Sequence, residues 1–203
     1  MRIALVGPAR PEHGGAARHT TELASRLAAA GHNVIIESWR PASPAAGNPA
    51  DGAEYPRTYR RLAWYRPDTW IAAGRRLRSA DLVVFALVSQ AQAASYLSVL
   101  TALTLGPDRP RTAVICHPAP PSDRLTRTLL ARADTVIVHS AAQAAQARAL
   151  APEVPIVIAR MPPHLPGATP VLKDLLAERS VDLAPDPEPY WSAYLHALGV
   201  TPA

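Results

Sequence analysis

Apolar residues fall along this chain in short unbroken runs separated by stretches with helical spacing. Ile3–Val6, Val34–Ile36, Leu82–Phe85, Thr112–Cys116, Thr135–Val138 and Ile156–Ile158 are rich in β-branched side chains and do not alternate with polar residues. Such runs are too short for helices and predict strands buried on both faces. Between them lie predicted helices: Ala16–Ala30, with Leu23 and Leu27 four apart and Gly31 as the stop, then Asp68–Arg78 with Asp68 as N-cap after Pro67. Ala91–Leu105 is the next, followed by a helix to Ala131 capped by Ser122 or Asp123, and by Ala141–Leu150 capped by Ser140. Residues 59 to 67 carry no clear period, and Ala42–Pro56, rich in Pro, Gly and Ala, reads as an irregular loop.

Strand–helix alternation with right-handed crossovers predicts the α/β class: a single Rossmann-like, doubly wound parallel sheet with helices on both faces, over residues 1–165. Residues 166–203 break that pattern and predict a linker with C-terminal helices. Val171–Arg179 is one short helix, Pro185–Pro189 a proline-spaced linker, and Glu188–Leu198 an amphipathic helix. Trp191, Tyr194, Leu195 and Leu198 share one stripe of that last helix. A stripe this apolar must pack on something, and the preceding domain is the nearest surface.

The 203 residues are enough to bury a full core, and 48% of them are hydrophobic, which argues against disorder. The net charge of +5 is almost wholly arginine, Lys173 being the only lysine. Either a GC-rich genome or an anionic partner accounts for that bias. Cys116 stands alone, which excludes an intramolecular disulfide and fits a reducing compartment. No basic-then-apolar leader opens the chain, and no apolar run approaches the ~20 residues of a membrane span. The expectation is a cytoplasmic protein, with peripheral membrane contact as an open alternative.

Four features bear on chemistry. The loop Gly7-Pro8-Ala9-Arg10-Pro11-Glu12-His13-Gly14-Gly15 opens into a helix, so Gly14 and Gly15 bring backbone amides close to an anion, unless the loop is a plain turn. Its spacing is neither the dinucleotide fingerprint nor a P-loop. His117 follows a strand and belongs to the carboxyl edge of the sheet, where open α/β folds bind ligands; a structural role is the alternative. Cys116 points to the other strand face, which removes a Cys–His pair. Arg57, Arg60, Arg61 and Trp64 head a basic, aromatic stretch that suits anionic lipid or a phosphorylated acceptor, or else a solvated face. No reading module for nucleic acid is visible, so none is expected as a partner. The histidines show no metal-binding spacing, so neither metal nor cofactor is assigned.

Several segments together resemble one family. Met1–Ala30 with its Gly14-Gly15 pair, Ala80-Asp81-Leu82-Val83-Val84-Phe85, Cys116-His117-Pro118 and Ala133-Asp134-Thr135-Val136-Ile137-Val138-His139-Ser140-Ala141 resemble, in order and spacing, family 4 retaining glycosyltransferases of the GT-B fold. The resemblance covers residues 1–165. It implies two Rossmann-like domains facing a cleft, the first receiving the acceptor and the second the nucleotide-sugar. It further implies that His117 faces the reacting sugar as a catalytic residue, and that Gly14 and Gly15, with His13 and Arg18, bind substrate or phosphate. No glycine-rich, glutamate-bearing donor segment follows residue 165, and Pro187–Leu195 resembles the family's returning last helix. The expectation is therefore a truncated, acceptor-side half, inactive without a donor-binding half, that meets nucleotide-sugar and a sugar or lipid-linked acceptor only when complemented. The alternative is a non-catalytic Rossmann-like module that pairs with another chain or with itself.

Overall fold

The structure is a computed structural model and describes residues 1–40, 53–105, 108–162 and 188–200. Seven strands form one fully parallel sheet: β1 (Arg2–Val6), β2 (Asn33–Trp39), β3 (Thr58–Leu62), β4 (Leu82–Leu87), β5 (Arg111–Cys116), β6 (Thr135–Val138) and β7 (Ile156–Ile158). Their order across the sheet is β3-β2-β1-β4-β5-β6-β7. The chain thus winds outward from β1 in one direction, then returns to β1's other side at β4. That reversal makes β1/β4 the topological switch point, where open α/β sheets place their ligand crevice.

Six helices are described: α1 (Gly15–Ala29), α2 (Pro67–Leu77), α3 (Ala93–Leu103), α4 (Arg124–Ala131), α5 (Ala141–Leu150) and α6 (Glu188–Ala197). Alternate strand residues feed two separate cores, because successive side chains leave a strand on opposite faces. Ala4, Val6, Val83, Phe85, Val114, Cys116, Val136 and Val138 pack with apolar side chains of α2, α3, α4 and α5. Ile3, Leu5, Leu82, Val84, Ala113, Ile115 and Ile137 pack with Leu23 and Leu27 of α1 and Trp191, Tyr194 and Leu198 of the α6 segment. All six residues of β4 are buried, and this explains why its run carries no polar alternation. The doubly wound α/β class read from the sequence is what the structure shows.

Local differences have physical reasons. Asp68 does not cap α2. Arg66 holds the N-cap position and Pro67 the first turn, where its missing N–H costs nothing, while Asp68 sits one step inside and pairs with Arg66 at 2.9 Å. β3, absent from the sequence reading, is an edge strand whose arginines hide its period. β2 continues past Ile36 to Trp39 because Glu37 and Ser38, though polar, are buried with partners. Asp123 rather than Ser122 caps α4, accepting from Leu125 and Thr126 amides, and Ser140 caps α5 through Gln143 N–H. Pro189, assigned to a linker, lies in the first turn of α6. The helix expected over 171–179 and most of the loop expected over 42–56 lie outside the described residues.

Candidate functional site

The loop between β1 and α1 crosses the sheet's carboxyl edge at the switch point and is held from below. Arg60 of β3 donates through Nη2 to the carbonyls of Ala9 (3.2 Å) and Arg10 (2.5 Å), and through Nη1 to Glu12 (2.9 Å) and Trp39 O (3.4 Å). The Glu12 carboxylate also accepts from Ser38 Oγ at 3.2 Å. Burial raises the Glu12 pKa, and the charge and hydrogen bond of Arg60 oppose that rise. Arg10 N–H donates to Thr21 Oγ1 at 3.0 Å, tying the loop to α1. Gly14 then adopts φ 116°, a conformation glycine takes without strain, and a side chain there would meet nothing within 4 Å. As N-cap it offers no side chain, and no acid stands in the first turn of α1, so neither caps the amides that open the helix.

One turn further along α1, His19 meets His117 at the end of β5. Their ring centroids lie 5.0 Å apart, nearly perpendicular, and the His139 ring at the end of β6 lies 5.3 Å from His117 and 6.1 Å from His19. Trp191 of α6 stacks on His19 at 5.2 Å, and Tyr194 places its hydroxyl 2.8 Å from His139 Nδ1, which also contacts Ala159 O at 3.0 Å. Gln143 joins the two strand ends, accepting from His139 N–H (2.7 Å) and donating to His117 O (3.3 Å). Part of His117 stays accessible, yet both ring nitrogens are out of solvent and have no hydrogen-bond partner among the described residues. Burial, reinforced by neighbouring His139, pushes the His117 pKa down to about 3, and burial likewise depresses His139. These imidazoles are neutral at physiological pH. Among the described residues no group of His, Cys, Asp or Glu is arranged to hold a metal ion, even where the three rings meet.

The structure therefore sets Gly14 and Gly15 one helical turn from the His19–His117 contact. His13 and Arg18 flank the glycine pair in sequence, His13 exposed and Arg18 half-buried. Cys116 lies on the opposite face from His117, in the other core, with its thiol pushed up to about 12 by burial. The four residues of the basic, aromatic stretch do not make one outward face. Arg60 holds the loop, Arg57 donates to Asn33 Oδ1, Arg61 lies 4.1 Å over Tyr59 and 3.6 Å from Glu37, and Trp64 stacks on Trp39 at 4.0 Å. Glu37, 1% exposed on β2, is raised in pKa by burial and pairs with Arg76 at 3.3 Å. Sequence reasoning noted His139 only at its strand end, without a role, and missed His19, Gln143, Trp191 and Tyr194 as members of the candidate site. The only available signals were a histidine on the core face of α1 and the aromatic stripe of α6.

The class defined by this geometry is a Rossmann-like domain whose glycine loop and histidine cluster stand at the carboxyl edge of its sheet. The model of Glycosyltransferase Family 4 matches residues 13–159, and the chain belongs to that family. No curated protein matches the sequence. Solved structures of the same fold include the apo lipopolysaccharide outer core galactosyltransferase WaaB, at 13% identity and TM-score 0.58, matched over 80% of this chain and 46% of that one. An α-glucosyltransferase in complex with UDP and a 13-mer DNA matches at 16% identity and TM-score 0.51, over 77% of this chain and 40% of that one. A sucrose-phosphate synthase chain from Thermosynechococcus elongatus matches at 16% identity and TM-score 0.54, over 88% of this chain and 98% of that one. The chain thus spans less than half the length of the first two glycosyltransferases.

One expectation is corrected by these neighbours. Nucleic acid was set aside for want of a reading module, yet the α-glucosyltransferase of this fold holds DNA. A glycosyltransferase of this fold can hold DNA, so the lack of a recognisable reading module in this sequence excludes nothing. No helix among the described residues is long and apolar enough to cross a membrane.

Proposed function

We propose that this chain is the acceptor-side half of a glycosyltransferase that moves a sugar from a nucleotide-sugar donor, and that it is inactive until a donor-binding half closes over it. The observation that carries this reading is the α1 N-terminus without a side-chain cap, one turn from the His19–His117 contact, at the switch point of a family 4 domain. Retaining transfer needs the leaving diphosphate stabilised while the acceptor hydroxyl is held at the anomeric carbon. In this reading the Gly14 and Gly15 amides supply part of the anion stabilisation. His117, too buried to exchange protons near neutral pH, fixes the floor of the acceptor pocket and presents its carbon edge or backbone rather than a base.

The same reading sets the protein in the cytoplasm, in keeping with the lone buried thiol of Cys116. Peripheral membrane contact is supported by Tyr65, 95% exposed, beside Trp64 and Ile71, and vesicle co-sedimentation tests it. Calorimetric titration of the purified chain with UDP- and GDP-sugars, together with a transfer assay, tests the main proposal. Weak nucleotide binding and no turnover are expected from the chain alone. Robust transfer without a second half would end the proposal.

A further inference from the structure

We infer that the amino edge of the sheet carries a ligand site of its own, a cavity beneath the end of α2 that takes one phosphoryl group among Arg2, Arg57 and Arg76. The site does not depend on the acceptor-side reading. It stands at the other end of β1 from the glycine loop, roughly 16 Å away at ~3.3 Å per residue. Arg2 and Asn33 open β1 and β2 and are register partners, and Arg57 stands just before β3. Arg76 lies in the last turn of α2, with Ser79 just beyond it. All five line the cavity, and no carboxylate is among the described residues that do. Its volume is 140 Å3, room for about five water-sized atoms at ~30 Å3 each. That suits the five heavy atoms of one phosphate and is too small for a whole nucleotide.

The charges around the cavity do not balance. Arg57 donates to Asn33 Oδ1, a neutral amide, and forms no ion pair among the described residues. That bond brings its guanidinium to the start of β2, beside the strand that begins with Arg2. Arg76 reaches Glu37 at 3.3 Å, but Glu37 also meets Arg61 at 3.6 Å, so two guanidinium groups share one carboxylate. Asn33, Ile35 and Glu37 leave β2 on the same face, which keeps the Arg76–Glu37 contact on the cavity's side of the sheet. Arg2 faces Asp81 at 3.6 Å. Arg2, Arg57, Arg61 and Arg76 thus meet only Glu37 and Asp81, and an anion would restore the balance. The carbonyls that end α2 oppose an anion, but Leu77 O already accepts from Ala80 N–H at 3.0 Å, and Arg75 and Arg76 stand in that turn. Guanidinium forks match phosphoryl oxygens, whereas a neutral sugar would leave the excess charge as it is. A group held there would tie the start of edge strand β3 to β1 and α2, and so stabilise the folded chain.

The test titrates the full chain at low ionic strength with inorganic phosphate, glucose 6-phosphate and glucose, read by calorimetry, amide chemical shifts and Tm. Phosphate and glucose 6-phosphate should bind saturably, raise Tm and move the amides of residues 2–4, 33–35, 57 and 76–80. Glucose should do none of these. Arg2→Gln with Arg57→Gln should weaken both anions about tenfold or more, and Arg57→Gln alone, which keeps a donor beside Asn33, should weaken them less. Arg148→Gln, on α5, should leave binding unchanged; amide spectra confirm that each variant is folded. No saturable phosphate binding, shifts confined to residues 9–18, or equal binding by wild type and the double variant overturns the inference. Tighter binding of glucose 6-phosphate than of phosphate assigns the site to a phosphorylated metabolite and the reverse order to the free ion, and either order supports it.

Discussion

Truncating Trp191 to alanine asks whether α6 belongs to the cooperative fold. Trp191 is 1% exposed, stacked on His19 at 5.2 Å, with the Arg26 guanidinium 5.9 Å from its ring centroid. A buried tryptophan withdraws about 150–250 Å2 from water, which at ~25 cal/mol per Å2 is about 4–6 kcal/mol. Against this stands its indole N–H, buried with no acceptor among the described residues; such a group costs about 1–3 kcal/mol. The alanine variant should therefore lose about 3 kcal/mol, the low end for deleting a buried aromatic ring. In a chain of this length that is a fall of roughly 6–12 °C in Tm. Urea and thermal unfolding followed by circular dichroism read it directly, provided the transition is two-state. Trp191→Phe keeps most of the apolar area and removes the unpaired N–H, so it should lose less than half as much. An alanine variant within about 1 kcal/mol of wild type, or a phenylalanine variant as damaged as alanine, would refute the reasoning.

Three further outcomes are expected. His117 and His139 are held neutral in the folded chain, His117 with a pKa near 3, so above pH 7 neither state binds a proton and stability is flat. As pH falls below the unfolded value near 6.5, the unfolded chain takes up protons that the folded chain refuses, and His117 alone should remove about 2 kcal/mol by pH 5; His117→Gln should flatten the dependence of the urea midpoint on pH, and an unchanged slope would contradict this. Asp123→Ala removes the acceptor for the Leu125 and Thr126 amides and should cost about 1 kcal/mol by urea titration. Gly74→Ala would set a Cβ 2.5 Å from Val99 O and Ala102 Cβ, where α2 and α3 touch, and should destabilise by about 1–3 kcal/mol in the same assay; a neutral result would mean those helices can part freely.

The candidate site was only half legible. Gly14, Gly15 and His117 stood out as candidates because a glycine pair before a helix and a histidine after an apolar run are local patterns. His19 looked like any helix residue between Arg18 and Thr20. It becomes a site residue only because α1 lies across the sheet and brings it to His117, a neighbour far away in sequence. The basic stretch hid its pairings for the same reason: nothing local in Arg60 and Arg61 announces that Glu12, Glu54 and Glu37 arrive from other elements to pair with them.

What the sequence determined by itself is six of the seven strands, the helices α1 to α6 and the doubly buried character of the sheet. Burial on both faces leaves an unbroken apolar run such as Leu82–Leu87, and a helix with one buried face leaves its spacing, as in Leu23 and Leu27. Those imprints depend on each residue's own exposure, so they can be read locally. Tertiary structure alone decided the strand order, the edge position of β3, and the placement of Trp191 and Tyr194 over the histidine rings. These depend on which distant groups meet once the sheet winds and α6 docks, and no local period records that.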